Sequence, residues 1–318
     1  MASESAPGVV EIQVADDLTY VRAGALAGAI SEQIARRPRA LWLNLEDVKV
    51  VDVVGLAVIA QAMGRAERAR TPCALFPSSL AYRGLFSAGV LDRFQVDRRR
   101  APERGSPDES IELSAAAPPE FLARTPSLGL RPPSWDDLDV LGRWAQDPLL
   151  DEMVGSDVLA MCRHLGPRDP DVVSHVIGWP TALTLLIHPA DLGTEPVGFV
   201  RLYNVNIDQG FAFLETVIAQ PRTRRTAWGV EATRLASAYA VDALGVQRLE
   251  TKAFAYNVLS INTLKRNGFS QEGRLRQARA HDGRRWDILV FAIVMPDIKN
   301  ALAADGFPHL GLWPDESS

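Results

Sequence analysis

The stretch from Phe211 to Val294 constrains the fold more than any other part of the chain. An apolar strand, Phe211 to Ala219, runs into a basic turn, Arg224-Arg225-Thr226-Ala227-Trp228-Gly229. A long helix then extends from Trp228 to Leu244 and stops at Gly245. A strand from Arg248 to Ala255 follows, then a helix from Val258 to Arg266 closed by Asn267-Gly268 as a left-handed cap. Two last strands, Ser270 to Ala280 and Arg285 to Val294, join at His281-Asp282-Gly283-Arg284. This order reads as an α/β (α+β) fold. Small residues at the basic turn let backbone N–H groups face outward where the long helix begins. Unpaired donors and the positive end of the helix dipole make that turn an anion site. The pyrophosphate of a nucleotide-like cofactor is its natural occupant.

Upstream, Thr181 to Ile187 and Val197 to Tyr203 read as strands, with Asn204 to Gly210 as the turn leading back to Phe211. These three are expected to be antiparallel neighbours. Ser134 fits as the N-cap of a helix carrying Leu138, Leu141 and Trp144. The region from Leu149 to Pro180 reads as irregular or helical.

The 318 residues suffice for two domains. Between Asp97 and about Leu128 the chain turns to Pro, Gly, Ala and charge without a sustained period, which is linker composition. The expected division is 1–100, a linker at 101–125, a second domain at 126–298 and a tail at 299–318. The first half reads as mixed α/β: a strand from Val9 to Val14, a helix from Val21 to Ala35, and a central strand from Ala40 to Leu45. After Val48–Asp52 a helix runs to about Ala69, then a strand, Cys73–Phe76, and a short helix from Ala81 to Ala88. A net charge of −5 argues against a nucleic-acid partner. No apolar run reaches the roughly 18 residues of a membrane span. The start lacks a secretory signal, and the two cysteines, Cys73 and Cys162, stand apart from any ligand spacing. The expectation is a cytosolic protein with no metal and no disulfide framework.

The segment Leu43-Asn44-Leu45-Glu46-Asp47-Val48-Lys49-Val50-Val51-Asp52-Val53-Val54-Gly55-Leu56 strongly resembles the core motif of STAS domains of the anti-sigma-factor-antagonist type, over about Val9 to Val96. That family opens a helix with Asp-Ser-Ser-Gly-Leu and is phosphorylated on a serine there. Val53 and Val54 stand at the two serine positions, so that chemistry is absent. Asp52 reads as the N-cap of the helix. The resemblance implies a docking or scaffolding module. Two valines at a helix start create an apolar contact patch, suited to a permanent interface with the second domain, another subunit or a protein partner.

From about Leu128 to Asp297 the chain resembles the GNAT acetyltransferase superfamily, and within it the Rim-type subgroup that acts on ribosomal-protein N-termini. The residues that carry this are Arg224-Arg225-Thr226-Ala227-Trp228-Gly229 with Glu231-Ala232, then Asn257-Val258-Leu259-Ser260, Leu264, Gly268-Phe269 and Glu272-Gly273-Arg274-Leu275-Arg276. Gly283-Arg284 and Asp287 fit the terminal hairpin. The implied fold has a mostly antiparallel, splayed central sheet, and the implied co-substrate is acetyl-CoA or another acyl-CoA. The loop departs from the pattern at Ala227, where the first glycine is expected. A methyl there is unstrained at negative φ and strained at positive φ.

In such an enzyme the free amine attacks the thioester carbonyl, so a base or a water chain must take a proton. Glu215, on the strand before the cofactor loop, reads either as that base or as a salt-bridged strand carboxylate. A wedge between that strand and the next would offer backbone hydrogen bonds near Val217 and Ile218 to polarise the carbonyl. Leu264 occupies the place where many relatives carry a tyrosine to protonate the leaving thiolate. The resemblance gives that task to Ser260, whose other reading is a helix cap or first-turn serine. Asn257 reads as a cofactor contact or a cap, Arg224 and Arg225 as phosphate neighbours or a solvated turn, and Trp228 as packing under the loop. His175 and His188 read as core or surface histidines rather than acceptor-pocket groups. The expected function is transfer of an acetyl or other acyl group to a primary amine of a peptide, a protein N-terminus or a small molecule. The alternative is a non-catalytic acyl-CoA-sensing regulator or scaffold acting through the STAS-like half.

Overall fold

The computed structural model describes residues 8–93, 95–97, 105–113, 117–190, 195–220, 227–304 and 310–313. The first half contains β1 (Val9–Gln13), β2 (Asp16–Leu18), α1 (Tyr20–Ala35), β3 (Ala40–Leu45), β4 (Val48–Val51), α2 (Val53–Arg68), β5 (Cys73–Pro77), α3 (Ser79–Ser87), β6 (Gln95–Val96) and β7 (Glu109–Glu112). Five of these strands form one sheet in the order β6-β5-β3-β1-β7, with every pairing parallel. Alternate residues on one face, among them Val10, Ile12, Leu41, Leu43 and Leu75, are fully buried and pack with α1 and α2. Strand β7 falls inside the stretch whose composition reads as linker. It pairs with β1 through Val10–Gln13, and register rather than composition gave Glu109–Glu112 its place.

The second half contains β8 (Ala123–Arg124), β9 (Leu128–Arg131), α4 (Asp137–Ala145), α5 (Pro148–Met153), α6 (Asp157–Leu165), α7 (Pro170–Ile177), β10 (Leu183–Pro189), β11 (Gly198–Asn206), β12 (Phe211–Ile218), α8 (Trp228–Asp242), β13 (Arg248–Phe254), α9 (Val258–Arg266), β14 (Ser270–His281), β15 (Arg284–Val294) and α10 (Met295–Ala304). Eight strands form a sheet in the order β14-β15-β13-β12-β11-β10-β9-β8. All its neighbours are antiparallel except β12 and β13. Helix α8 covers one face; α4, α6 and α7 cover the other through Leu138, Leu141, Val158, Leu159 and Val172.

Local chemistry sets several boundaries. Ser134 is not the cap of α4; the helix begins later, and the Asp137 carboxylate accepts from Ser134 N at 2.7 Å and from Arg131. The arginine and the serine hold that carboxyl down to about 2 against the opposing effect of burial. The poorly periodic region after it resolves into α5, α6 and α7, two of them opened by a proline preceded by a capping aspartate, Asp147 and Asp169. The tail expected at 299–318 starts inside α10. Farther on, Leu310 N donates to Asp242 at 3.0 Å and Trp313 is buried. No described helix is long and apolar enough to cross a membrane.

Asp52 caps α2, accepting from Gly55 N at 2.8 Å and Tyr20 N at 2.8 Å. Val53 and Val54 are fully buried, each contributing about 1.5–3 kcal/mol relative to an exposed side chain. The core that holds them continues into the second half without a break.

Candidate active site

Strands β12 and β13 pair only at Phe211–Phe213 with Arg248–Glu250. Beyond that point no ladder joins them, and the sheet splays open. Gly198 permits the neighbouring approach of β11, because a Cβ there would lie 2.0 Å from the Val217 carbonyl oxygen. The splay forms the inner wall of a cleft of about 530 Å³. The α5–α6 connection and α9 close its sides, and α8 its back, with Thr216 and Thr233 sharing a hydrogen bond at 2.9 Å between strand and helix.

Glu215 sits on the cleft floor, half-buried, in register with Arg201 on β11. Burial pushes its carboxyl up to about 7. The nearby Ser156 hydroxyl and Arg201 oppose this rise, and the Asp157 carboxylate adds to it. The Ser156 Oγ is buried and makes no hydrogen bond of sound geometry, so its influence on Glu215 is that of a neighbouring dipole. Gly155, at φ +67°, turns the chain there, and a Cβ would meet the Phe254 ring at 3.0 Å. That turn delivers Ser156 and Asp157 to the cleft.

Arg201, Tyr203, Ser156 and Asp157 line the cleft and were not singled out as members of the site from sequence. Arg201 is 3% exposed, and its Nη2 donates to His175 Nε2. Burial and this guanidinium lower the proton affinity of His175. His175 supports Arg201 from α7 without lining the cleft itself. Tyr203 stacks on Phe213 with centroids 5.4 Å apart, and burial pushes its phenol up to about 12. An arginine within the apolar run Gly198-Phe199-Val200-Arg201-Leu202 was the available signal, since a charge at the centre of a buried strand needs a partner.

The expected site residues divide. Ser260 lines the cleft from α9, and it is not the cap: Asn257 is, accepting from Ser260 N at 3.1 Å. Asn257 also donates from Nδ2 to the Met153 carbonyl at 2.8 Å, tying α9 to α5 beside the cleft. Leu264 lines the same wall. Ile218 faces the cleft, whereas Val217 points to the opposite face and packs among α4, α6 and α7; only its backbone can serve the site. Ala227 precedes α8 at φ −71°, so its methyl is unstrained. Gly229 lines the cleft, and Trp228 packs against the core. Arg224, Arg225 and Thr226 lie outside the described residues. Glu231, in the first turn of α8, accepts from Ser127 Oγ at 2.6 Å and from Thr125 Oγ1, fixing the helix start to β9. Among the described residues no cluster of three or more His, Cys, Asp or Glu could hold a metal ion.

Residues 127–270 match the model of the acetyltransferase (GNAT) domain, and residues 1–98 that of the STAS domain. Among solved structures, the chain is similar to spermidine N-acetyltransferase from Vibrio cholerae in complex with CoA and spermine, at 17% identity and a TM-score of 0.47, covering 54% of this chain and 98% of that one. It is similar to Mycobacterium smegmatis RimJ in complex with CoA-disulfide, at 23% identity and a TM-score of 0.45, covering 58% and 93%. It is also similar to RimL, the ribosomal L7/L12 alpha-N-protein acetyltransferase in complex with coenzyme A, at 16% identity and a TM-score of 0.47, covering 56% and 99%. A comparison with curated proteins found no match.

Proposed function

The chain carries a STAS domain followed by a GNAT acetyltransferase domain, and we propose that it transfers an acetyl or other acyl group from acyl-CoA to a primary amine by direct attack. The observation that carries this is Glu215: a carboxyl on the floor of the splay, its proton affinity raised to about 7. A base poised near neutrality can take a proton from an ammonium or an attacking amine and still be ionised at working pH. Asp157 adds a second carboxylate beside it, so the acceptor side of the cleft favours a cation.

The amine nitrogen attacks the thioester carbonyl carbon, forming the C–N bond, and its proton passes to Glu215. Collapse of the tetrahedral intermediate breaks the C–S bond; the Ser260 hydroxyl gives its proton to the departing sulfur and is reprotonated from solvent, to which Glu215 releases the proton it took. Backbone groups of Val217 and Ile218, beyond the end of the β12–β13 ladder, are the candidates for polarising the carbonyl. The helix start at Ala227, Trp228 and Gly229 offers N–H donors to the cofactor phosphates. The acceptor is an amine of a peptide, a protein N-terminus or a small molecule.

Titration calorimetry with acetyl-CoA, followed by turnover against a panel of polyamines, peptides and amino acids, tests this reading. Binding with amine-dependent release of CoA is expected. Binding without turnover by any amine would favour an acyl-CoA sensor, and no binding would remove the acyltransferase reading altogether.

A further inference from the structure

Helices α2 and α8 are each buried on almost every side. On α2 the buried residues are Val53 through Ala60, then Ala62, Met63 and Ala66. On α8 they are Ala232, Thr233 and Leu235 through Val241. A helix that covers a sheet normally buries one stripe and leaves the opposite face to water. Burial all round requires further neighbours: α2 packs on α1 as well as on its sheet, α8 on α10 as well as on its own, and the two helices also meet at a few points. Two points along α2 meet α8, and a third meets the C-terminal segment that Leu310 ties to Asp242 of α8. At its start, the Asp52 carboxylate faces Tyr239 of α8, whose phenol holds its proton more tightly through burial first and this carboxylate second. In its middle, Gln61 donates from Nε2 to the Ala243 carbonyl at 2.9 Å, where α8 ends and its carbonyls lack helical partners. Near its end, the Arg65 guanidinium lies 4.4 Å from the centre of the Trp313 ring. Tyr239 is 1% exposed, and among the described residues its hydroxyl has no hydrogen-bond partner.

This closes the face that a STAS domain of the antagonist type would offer at its helix start. Val53 and Val54 have no exposure, and the core around them includes residues of both domains. The same contact grips the helix whose first turn, Ala227–Gly229, opens the cleft. Helix α8 has 15 residues and so is about 22 Å long, held at its far end by the STAS domain.

We propose that the α2 face of the STAS domain is a permanent intramolecular docking surface for α8, and that docking there and acyl-CoA binding at the opposite end of α8 are energetically coupled. The coupling rests on the reading that acyl-CoA binds at the start of α8. A helix fixed at one end has less freedom to lose when a ligand orders the other, and by linkage the ligand must strengthen the docking in return. The STAS domain is then a buttress of the cofactor site and not a phosphoswitch.

The test uses the full chain and coenzyme A as the probe. Hydrogen exchange is followed in α2, α8 and β12 with and without CoA, and CoA affinity is measured for the wild type, Gln61→Ala and Arg65→Ala. Slower exchange in α2 on adding CoA, together with a CoA Kd raised about fivefold or more in Gln61→Ala, is the expected result. Neither residue lines the cleft; far-ultraviolet circular dichroism confirms that each variant is folded. Protection confined to α8 and β12, with wild-type affinity in both variants, would overturn the coupling while leaving the acyltransferase reading intact. Absence of CoA binding in the wild type would overturn the acyl-CoA reading, and the coupling with it.

Discussion

Replacing Glu215 by Gln separates the base from the scaffold, because activity and stability should move in opposite directions. The glutamine keeps the shape and removes the charge. The ordinary value of 4.5 and the buried value of about 7 differ by about 3 kcal/mol, at roughly 1.4 kcal/mol for each pH unit. Discounting for the residual contact of Glu215 with cleft water leaves about 2–3 kcal/mol. Between these two pH values the folded protein binds a proton at Glu215 that the unfolded chain does not. Its contribution to stability is therefore complete below 4.5 and is lost as pH rises through about 7. The Glu215→Gln variant escapes that loss. Urea unfolding should show the variant and the wild type about equal near pH 4, and the variant more stable by about 2–3 kcal/mol near pH 8. Turnover should fall by about 10²–10⁴-fold, and the rise of rate with pH through about 7 should disappear. Full activity of the variant across about pH 6 to 9 would refute the base assignment. Unchanged stability near pH 8 would refute the claim that burial raises the carboxyl.

Three further outcomes are expected. Asp157→Asn removes the carboxylate that strengthens proton binding at Glu215, so the acid limb of the pH–rate profile should shift to lower pH; an unmoved limb would mean that Asp157 does not act on the base. Ser260→Ala should lower kcat about tenfold, the worth of one hydrogen bond at about 1.4 kcal/mol, with acetyl-CoA affinity unchanged because Asn257 caps the helix; steady-state kinetics against calorimetry reads the split. Gly198→Ala places a Cβ 2.0 Å from the Val217 carbonyl oxygen, so it should cost about 1–3 kcal/mol in urea unfolding and weaken acetyl-CoA binding by displacing β12.

Much of the site's donor side was legible because local chemistry specifies it. The helix from Val258 to Arg266 appears with the bounds its period and its Asn-Gly ending indicate. Asp52 caps α2 as its place before an apolar run implies. Ala227 posed a question that only a dihedral angle answers, and at φ −71° it needs no glycine. The acceptor side was illegible for a physical reason. Ser156 and Arg201 reach Glu215 from separate elements, and no spacing in the chain relates them to it. Strand β7 was hidden in the same way: Glu109-Ser110-Ile111-Glu112 has little strand character of its own, and pairing with β1 supplies what propensity does not.

By itself the sequence determined the two-part organisation, the STAS and GNAT patterns, the helix carrying the anion turn, and the candidacy of Glu215 and Ser260. These follow from periodicity, caps and motifs that act over a few residues. The tertiary structure alone decided that Glu215 would be held near neutrality, because that depends on burial and on charges brought from other elements. It also decided what Val53 and Val54 are for. Two valines at a helix start are an apolar surface without an address, and burial in a core that continues into the second half gives them one.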